Sequence, residues 1–160
     1  MSKAFTSEEN QDDGFLDPPA LPPGVKNYMT KTGAERLRAE LEGLERERRA
    51  HSMQNVSGQA QLGKIERRLR FLVSRLEPLE TIDPTQQPKD QVLFGATVTL
   101  RTAAGQEERW RIVGLDESDL AKGWISWMSP FAQALLTKRL GDTLQFRDRT
   151  LTVHALQYEP

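Results

Sequence analysis

Residues 62–79 read LGKIERRLRFLVSRLEPL, and the spacing of their apolar side chains decides the fold of the first half of the chain. The apolar residues follow one another at steps of three and four: Leu62, Ile65, Leu69, Leu72, Leu76 and Leu79. This spacing is typical of a helix that packs along one stripe, as in a coiled coil. An upstream segment, capped by Thr30, repeats the pattern with Ala34, Leu37, Leu41 and Leu44.

Two helices joined by a short loop pack antiparallel, so the sequence predicts a coiled-coil hairpin over residues 28–80. If Ala34 meets Leu79, the chain folds back at Val56–Ser57, inside the stretch NVSG. The hairpin tip then consists of Asn55, Val56, Ser57 and Gly58, and Gly58 permits a left-handed backbone there. Each arm is expected to be about 36 Å long at 1.5 Å per residue.

Charge is unevenly distributed along the predicted hairpin. From Glu45 to Arg75 there are eight basic and three acidic residues, a net charge of 8 − 3 = +5, although the whole chain carries −1. The candidate basic patch consists of Arg46, Arg48, Arg49, Lys64, Arg67 and Arg68. Such a patch is either a solvated helix surface or a surface that meets phosphates or an acidic channel.

The rest of the chain divides into three parts. Residues 1–27 are acidic and rich in proline, and they predict a disordered tail. The polar stretch TIDPTQQPKDQ at residues 81–91 predicts a linker. In residues 92–160, apolar and polar residues alternate as they do in strands, and one segment, SPFAQALLTKRLGD, is predicted to be a helix. We therefore expect a small antiparallel sheet with one covering helix. A change of parity near Ala155 predicts a bulge, and the three tryptophans are expected to fill the core. The fold class is therefore α+β.

Composition excludes several kinds of site. The chain has no cysteine, so disulfides, thiolate chemistry and cysteine-ligated zinc are excluded. The two histidines, His51 and His154, fall in different predicted domains, so we expect no metal site and no cofactor. The sequence has neither an apolar run near the length of a membrane span nor a signal peptide, which predicts a cytoplasmic protein without membrane contact. We expect a monomer.

Four segments resemble the GreA/GreB-type bacterial transcription elongation factors: YMTKTGAERLRAELEGL at 28–44, FGATVTL at 94–100, RIVGLDE at 111–117, and ISWMSPFAQALLTKRLGD at 125–142. The last segment is the most specific. The resemblance implies an N-terminal coiled-coil hairpin and a C-terminal domain shaped like FK506-binding proteins. It further implies that the C-terminal domain docks on the rim of the secondary channel of core RNA polymerase, and that the hairpin enters the channel.

In that family, acidic residues at the hairpin tip help the polymerase to hold a second Mg²⁺, which activates water to cut a backtracked transcript. Family members carry a GD-x-x-EN-x-E/D-Y motif there. This chain has no Asp or Glu between Glu47 and Glu66, and its arms are about two turns shorter, which means about 11 Å less reach. Magnesium sites in proteins usually use one or two carboxylates, and this tip offers only neutral oxygens.

The sequence therefore predicts a polymerase-binding elongation regulator that is not an enzyme and does not stimulate cleavage. Contact with nucleic acid in the elongation complex is also expected. The resemblance implies partner-binding residues at Met128, Ser129 and Pro130, and also at Asp116 and Glu117 in the GLDE loop. The alternative for Asp116 and Glu117 is that their carboxylates only stabilise the turn. Two alternatives stay open: a cleavage-stimulating factor with carboxylates supplied from elsewhere, and a peptidyl-prolyl isomerase, suggested only by the expected domain shape.

Overall fold

The structure, a computed structural model, describes residues 19–53 and 58–160. Residues 1–18 and three residues of the predicted tip, Asn55, Val56 and Ser57, lie outside the described residues. The main elements, in chain order, are β1 (Asn27–Thr30), α1 (Lys31–Met53), α2 (Gln59–Leu76), β2 (Leu79–Ile82), β3 (Ala96–Thr102), β4 (Glu107–Val113), β5 (Trp124–Ser126), α3 (Pro130–Leu135), β6 (Thr143–Phe146) and β7 (Arg149–Tyr158). The chain thus combines helices and sheet, as predicted.

Helices α1 and α2 pack on each other through the apolar stripes that the sequence predicted. Met29, Ala34, Leu37 and Leu72 form a buried cluster at the base, and Leu41, Leu44, Phe71, Leu76 and Leu79 pack around it. At the other end, a Cβ added to Gly58 would lie 3.0 Å from the His51 ring. Because both ends of α1 lie beside α2, the two helices form an antiparallel hairpin.

A short parallel ribbon, which the sequence analysis missed, closes the base of the hairpin. Strand β1 pairs with β2 from Asn27↔Leu79 to Thr30↔Ile82. Asn27 is fully buried in this ribbon, so the prediction that it belongs to a disordered tail is wrong. Residues before it also make contacts: the Pro19 carbonyl accepts a hydrogen bond from Arg75. Lys26 pairs with Glu80, whose carboxylate raises the pKa of that lysine.

The second half folds as a five-stranded sheet in the order β5-β4-β3-β7-β6. The pairs β3–β4, β3–β7 and β6–β7 are antiparallel, whereas β4 and β5 are parallel, which corrects the prediction of a purely antiparallel sheet. Two 3₁₀ turns, Leu115–Glu117 and Leu120–Lys122, lie in the connection between β4 and β5. This connection returns the chain alongside β4, so that β5 runs in the same direction as β4. The predicted bulge is confirmed, because the β3–β7 register shifts at Thr99/Leu100, opposite Ala155 and Val153.

The core of this domain lies on one face of the sheet, under α3. Leu100, Ile112, Leu135 and Leu151 are wholly buried there, and Trp110 and Trp127 pack against it. Helix α3 is shorter than the predicted segment, because Leu136 is its C-cap and Thr137 adopts a positive φ of 73°.

The predicted linker, 81–91, is ordered in part. Its first two residues belong to β2, and a 3₁₀ turn follows at Pro84–Gln86. The Gln91 carbonyl accepts a hydrogen bond from the Tyr158 hydroxyl at 2.5 Å, which ties the end of this segment to β7.

The hairpin cluster predicts a large difference between two adjacent residues of α2. Leu72 is wholly buried, whereas Val73 is 48% exposed. Replacing Leu72 by Ala should lower the free energy of unfolding by about 2–5 kcal/mol, because the cavity forms in a packed cluster. Val73→Ala should change it by about 0.5 kcal/mol or less. Urea denaturation followed by circular dichroism measures both, and equal effects of the two substitutions would contradict the observed packing.

Candidate functional site: the Ser129–Pro130 turn and the hairpin joint

The turn before α3 is held in one conformation by its backbone. The Ser129 side chain accepts a hydrogen bond from the Ala132 amide at 3.2 Å and so caps α3, while Pro130 occupies the first turn, where its missing N–H costs nothing. The Ser129 amide donates to the Ser126 carbonyl at 2.9 Å, and the Met128 amide donates to the Ser126 hydroxyl at 3.1 Å. Pro130 is exposed and Met128 is half-buried. The turn therefore offers a preformed, largely apolar surface.

The aromatic ring of Tyr28 connects this turn to the base of the hairpin. Its centroid lies 5.2 Å from that of Trp127 in an edge-to-face arrangement and 6.3 Å from that of Phe94. Edge-to-face aromatic pairs contribute about 0.5–1.5 kcal/mol beyond their buried area. Because Tyr28 belongs to β1 and Trp127 precedes the turn, the turn and the hairpin base pack directly against each other.

Asp116 lies in the loop after β4, and its carboxylate is directed into the hairpin base. Its Oδ1 lies 3.2 Å from Nε of Arg75, and the two side chains are only 6% and 4% exposed. Its Oδ2 accepts a hydrogen bond from the Asn27 side chain at 3.3 Å, and the same amide donates to the Arg75 carbonyl at 3.0 Å. Asp116 thus ties the end of α2 and the start of β1 to the C-terminal domain.

The neighbouring carboxylate, Glu117, contacts the start of α1. One oxygen accepts hydrogen bonds from the Thr30 amide at 3.0 Å and the Gly114 amide at 2.8 Å, and the other contacts the Thr30 hydroxyl. That hydroxyl in turn accepts from the Gly33 amide at 3.1 Å, so Thr30 caps α1 as predicted. A Cβ on Gly33 would overlap the Glu117 carboxylate, so this close approach requires glycine there. A carboxylate at a helix N-terminus is also favoured by the helix dipole.

We call these two sets of contacts the hairpin joint, defined by Asn27, Thr30, Arg75, Asp116 and Glu117. Asp116 and Glu117 were expected to bind a partner, with a role in the turn as the alternative. In the structure both carboxylates are used inside the molecule. From the sequence, Thr30 was expected only to cap α1, and Asn27 and Arg75 were not singled out. All three lie far from the GLDE loop along the chain. A basic residue near the end of the apolar stripe of α2 was the one available signal.

The candidate basic patch is divided between two environments. Five of its residues are exposed: Arg46, Arg48, Arg49, Lys64 and Arg67. Arg68 differs, because its guanidinium makes a bidentate contact with the Glu40 carboxylate of α1, with N–O distances of 2.6 and 3.1 Å. The guanidinium carbon also lies 4.9 Å from the centroid of the Phe71 ring. Arg68 therefore joins the two helices, and its charge is balanced by Glu40.

Gly58 is the one predicted tip residue that the structure describes. Its φ is −109°, so the left-handed conformation expected there is not adopted. Its carbonyl accepts the Leu62 amide at 2.8 Å, which begins α2. The reason for a glycine is instead the closeness of His51, whose Nδ1 would lie 3.0 Å from an added Cβ.

Within 19–53 and 58–160, no group of three or more His, Asp or Glu side chains is placed to hold a metal ion. No helix in the same part of the chain has the length and apolar character that crossing a membrane requires.

Comparison with known proteins identifies the family. The family described as "Transcription elongation factor, GreA/GreB, C-term" matches residues 87–158. The chain is 40% identical over 135 residues to transcription elongation factor GreB of Pasteurella multocida, covering 74% of this chain and 85% of that relative. It is 38% identical over 153 residues to transcription elongation factor GreB of Haemophilus influenzae, covering 83% and 97%. The solved structure of a prokaryotic transcription elongation factor GreA/GreB from Nitrosomonas europaea aligns with a TM-score of 0.43 at 23% identity, covering 83% of this chain and 100% of that one.

This chain therefore belongs to the GreA/GreB family of transcription elongation factors. The extent and identity of the match to the GreB relatives carry that conclusion. The resemblance that the sequence analysis stated is confirmed.

The hairpin joint predicts a large cost for removing one buried carboxylate. Asp116→Ala leaves the Arg75 charge buried without this partner, which should lower the free energy of unfolding by about 3–5 kcal/mol. Asp90→Ala is the matched control, because Asp90 is 67% exposed and pairs with Arg139 at 2.7 Å. That pair should contribute about 1 kcal/mol or less.

Denaturation should be followed by circular dichroism, which is dominated by the hairpin helices, and by fluorescence of the tryptophans, which all lie in the C-terminal domain. In Asp116→Ala the two transitions should separate, because the joint couples the two parts. If Asp116→Ala and Asp90→Ala lowered the free energy of unfolding equally, and the two transitions coincided, the joint would not couple the hairpin to the C-terminal domain.

Proposed function

We propose that this protein is an RNA polymerase-binding regulator of transcription elongation, which docks through its C-terminal domain at the rim of the secondary channel. The observation that carries the proposal is the Ser129–Pro130 turn, which is fixed by three hydrogen bonds of its own backbone and hydroxyls and exposes Pro130. A rigid, partly apolar turn loses little entropy on binding. Family membership supports RNA polymerase as the partner.

Within this proposal, the hairpin joint sets the direction of the hairpin relative to the docked domain. The Asp116 and Glu117 carboxylates act on Arg75 near the end of α2 and on Thr30 at the start of α1. They are thus positioning residues for the hairpin, and direct contact with the polymerase is assigned to Met128, Ser129 and Pro130.

The exposed bases of the hairpin suit an acidic channel wall or nucleic acid in the elongation complex. Arg46, Arg48, Arg49, Lys64 and Arg67 supply this surface. Phosphate contacts of this kind are independent of base sequence and weaken as salt rises.

We further propose that the hairpin occupies the channel without stimulating transcript cleavage. The segment between Glu47 and Glu66 contains no carboxylate, and Mg²⁺ at protein sites is usually held by one or two carboxylates together with substrate oxygens. Amide and hydroxyl oxygens can contact the ion but cannot offset its charge. The alternative, cleavage stimulation of the ordinary Gre kind, would need carboxylates from elsewhere in the complex.

We propose no catalytic role for the C-terminal domain itself. Its sheet and single short helix are compatible with the expected likeness to FK506-binding proteins, but a shared fold does not imply shared activity. A proline-isomerisation assay on a short peptide separates this possibility from a binding role.

Docking is tested at the exposed turn. Met128→Glu combined with Pro130→Glu should reduce the affinity for core RNA polymerase by at least about a hundredfold, because two carboxylates would be buried in an apolar contact. Arg101→Glu, on the opposite face of the sheet, is the control and should bind as well as the unmodified protein. Affinity is measured by fluorescence anisotropy of the labelled protein, after circular dichroism has shown that each variant is folded. Unchanged affinity in the folded double variant would remove this surface from the proposal.

The mode of action is tested by competition. If this protein occupies the same channel as a cleavage-stimulating GreB, then adding it should slow GreB-driven cleavage of backtracked transcripts, with a dependence on concentration that follows its affinity for the polymerase. The docking double variant serves as the control and should not slow cleavage. Undiminished cleavage at saturating concentrations of the unmodified protein would contradict a shared site.

A further inference from the structure

The outer face of the C-terminal sheet, opposite the core, carries a row of side chains that belongs to neither the turn nor the joint. Gln157 of β7 is the register partner of Thr97 in β3, Thr97 is the partner of Arg111 in β4, and Arg111 is the partner of Trp124 in β5. Side chains directly opposite each other on neighbouring strands point to the same face. These four residues therefore form one line across four strands, here called the cross-strand row.

Two polar atoms in this row are buried and have no hydrogen-bond partner within the described part of the chain. They are the hydroxyl of Thr97, a residue only 6% exposed, and Nε of Arg111. A buried polar group left unpaired costs about 1–3 kcal/mol, so a pair of them on one surface points to a ligand that would satisfy both. Both residues line a cavity of ≈ 270 Å³ together with Arg109, Lys122 and Trp124.

Three cationic side chains and the carboxylate of Glu159 line the cavity. The Arg111 guanidinium lies 5.2 Å from the centroid of the Trp124 ring, and the Lys122 ammonium lies 4.9 Å from the same centroid. The electron-rich ring stabilises both cations and fixes their positions. Nη2 of Arg111 also donates to the Glu159 carbonyl at 3.1 Å, which holds the guanidinium in the row. Arg109 adds a third cation.

Three cations with a hydroxyl and an N–H donor are the groups that recognise an oxyanion such as a phosphate. The cavity is slightly smaller than the volumes typical of sites for whole cofactors, so it fits one such group rather than an entire ligand. A neighbouring cavity of ≈ 320 Å³ shares Lys122 and Trp124, but carboxylates of Glu40, Asp116, Glu117 and Asp119 also line it, so it does not extend the cationic surface. The relatives of this chain are transcription elongation factors, which favours a phosphate of a nucleic-acid backbone as the single oxyanion.

We propose that the cross-strand row binds one backbone phosphate of single-stranded nucleic acid, an inference that rests on the proposed role in transcription elongation. Arginine and lysine contacts to phosphates act on the backbone and not on the bases, so the binding is independent of sequence. It is also sensitive to salt.

Two carboxylates compete with this ligand, and one of them is Asp119, which lies 3.9 Å from the Lys122 ammonium. The other, Glu159, lies 2.8 Å from the Arg109 guanidinium, and both side chains are at least half exposed. A bound phosphate must share Arg109 with Glu159. Removing the Glu159 carboxylate should therefore strengthen binding, which a merely damaged protein would not do.

The test uses the ¹⁵N-labelled full chain and NMR, because the hairpin can also bind nucleic acid and a site-resolved signal is needed. The probes are a short oligouridine RNA, inorganic phosphate and an oligoglutamate peptide, all at low ionic strength. The Nε–H resonance of Arg111 and the amide of Gly123 report on the row. We expect RNA to shift both resonances in a saturable way and at much lower concentrations than inorganic phosphate.

Substitutions give the expected changes in affinity at these resonances. Arg111→Gln should weaken RNA binding at Gly123 about tenfold, as expected for losing hydrogen bonds to a charged group. Glu159→Gln should strengthen it about two- to fivefold, as expected for breaking an exposed ion pair. Arg101→Gln is the matched control, because Arg101 is an exposed arginine of β3 that lines neither cavity. It should change the affinity less than about twofold.

Three results would overturn the proposal. RNA could leave the Arg111 and Gly123 resonances unmoved, which would mean that the row is no site. Inorganic phosphate could shift them at the same concentrations as RNA, which would mean a site for a free anion. The oligoglutamate peptide could bind more tightly than RNA, which would assign the row to an acidic protein segment. Polymerase binding through the Ser129–Pro130 turn is a separate measurement, so either proposal can fail alone.

Discussion

The buried ion pair between Arg75 and Asp116 is the contact on which the arrangement of this protein depends. Arg75 lies near the end of α2, and Asp116 lies in the loop after β4, so the pair crosses from the hairpin to the C-terminal domain. Both side chains are almost fully buried, where an unpaired charge is costly. The pair is therefore better understood as specifying one arrangement of the two parts than as a large net gain in stability. Glu117, in the same loop as Asp116, accepts a hydrogen bond from the Thr30 amide at 3.0 Å and so holds the start of α1 against the C-terminal domain.

The joint matters because a small change in the angle of the hairpin at its base displaces its far end by several ångströms. Helix α2 has 18 residues, and at 1.5 Å per residue it extends about 27 Å from the joint. A tilt of about 10° at its base would move its far end by about 5 Å, which is the length of one helical turn. If the C-terminal domain docks on the polymerase and the hairpin acts at a distance from it, the direction of the hairpin must be set at its base. Gly33 and Gly114 permit this, since a Cβ at either position would collide with the joint.

The sequence predicted the parts of the fold whose signals are local. The apolar stripe from Leu62 to Leu79 predicts α2, although the helix ends at Leu76 and Leu79 belongs to β2. The change of parity near Ala155 predicts the bulge in β7. Both signals are contained in a short stretch of the chain. The parallel ribbon of β1 and β2 could not be predicted in this way, since each strand has four residues and its partner lies beyond the entire hairpin. The same holds for the parallel pairing of β5, which depends on two 3₁₀ turns. It also holds for the cross-strand row, because Thr97, Arg111 and Trp124 become neighbours only through strand register.

At the candidate site too, local features were predicted from the sequence, whereas contacts with distant parts of the chain were not. Family resemblance pointed to Ser129 and Pro130, and the structure shows a capped, rigid turn there. The same resemblance pointed to Asp116 and Glu117, whose carboxylates contact the hairpin instead of solvent. Arg68 was counted with the basic patch by its position in the sequence, yet Glu40 on the facing helix balances its charge. Charge patterns along one helix therefore overstate a basic surface when the opposite helix is acidic.

The central claim is that this GreA/GreB family member occupies the polymerase without supplying carboxylates to its active site. The most direct test is transcript cleavage by backtracked RNA polymerase in the presence of this protein alone, at concentrations that saturate the polymerase. The account predicts that the cleavage rate stays at the intrinsic rate of the polymerase. A rate that rises with the concentration of this protein would contradict the account, because it would mean that a metal-binding carboxylate reaches the active site after all.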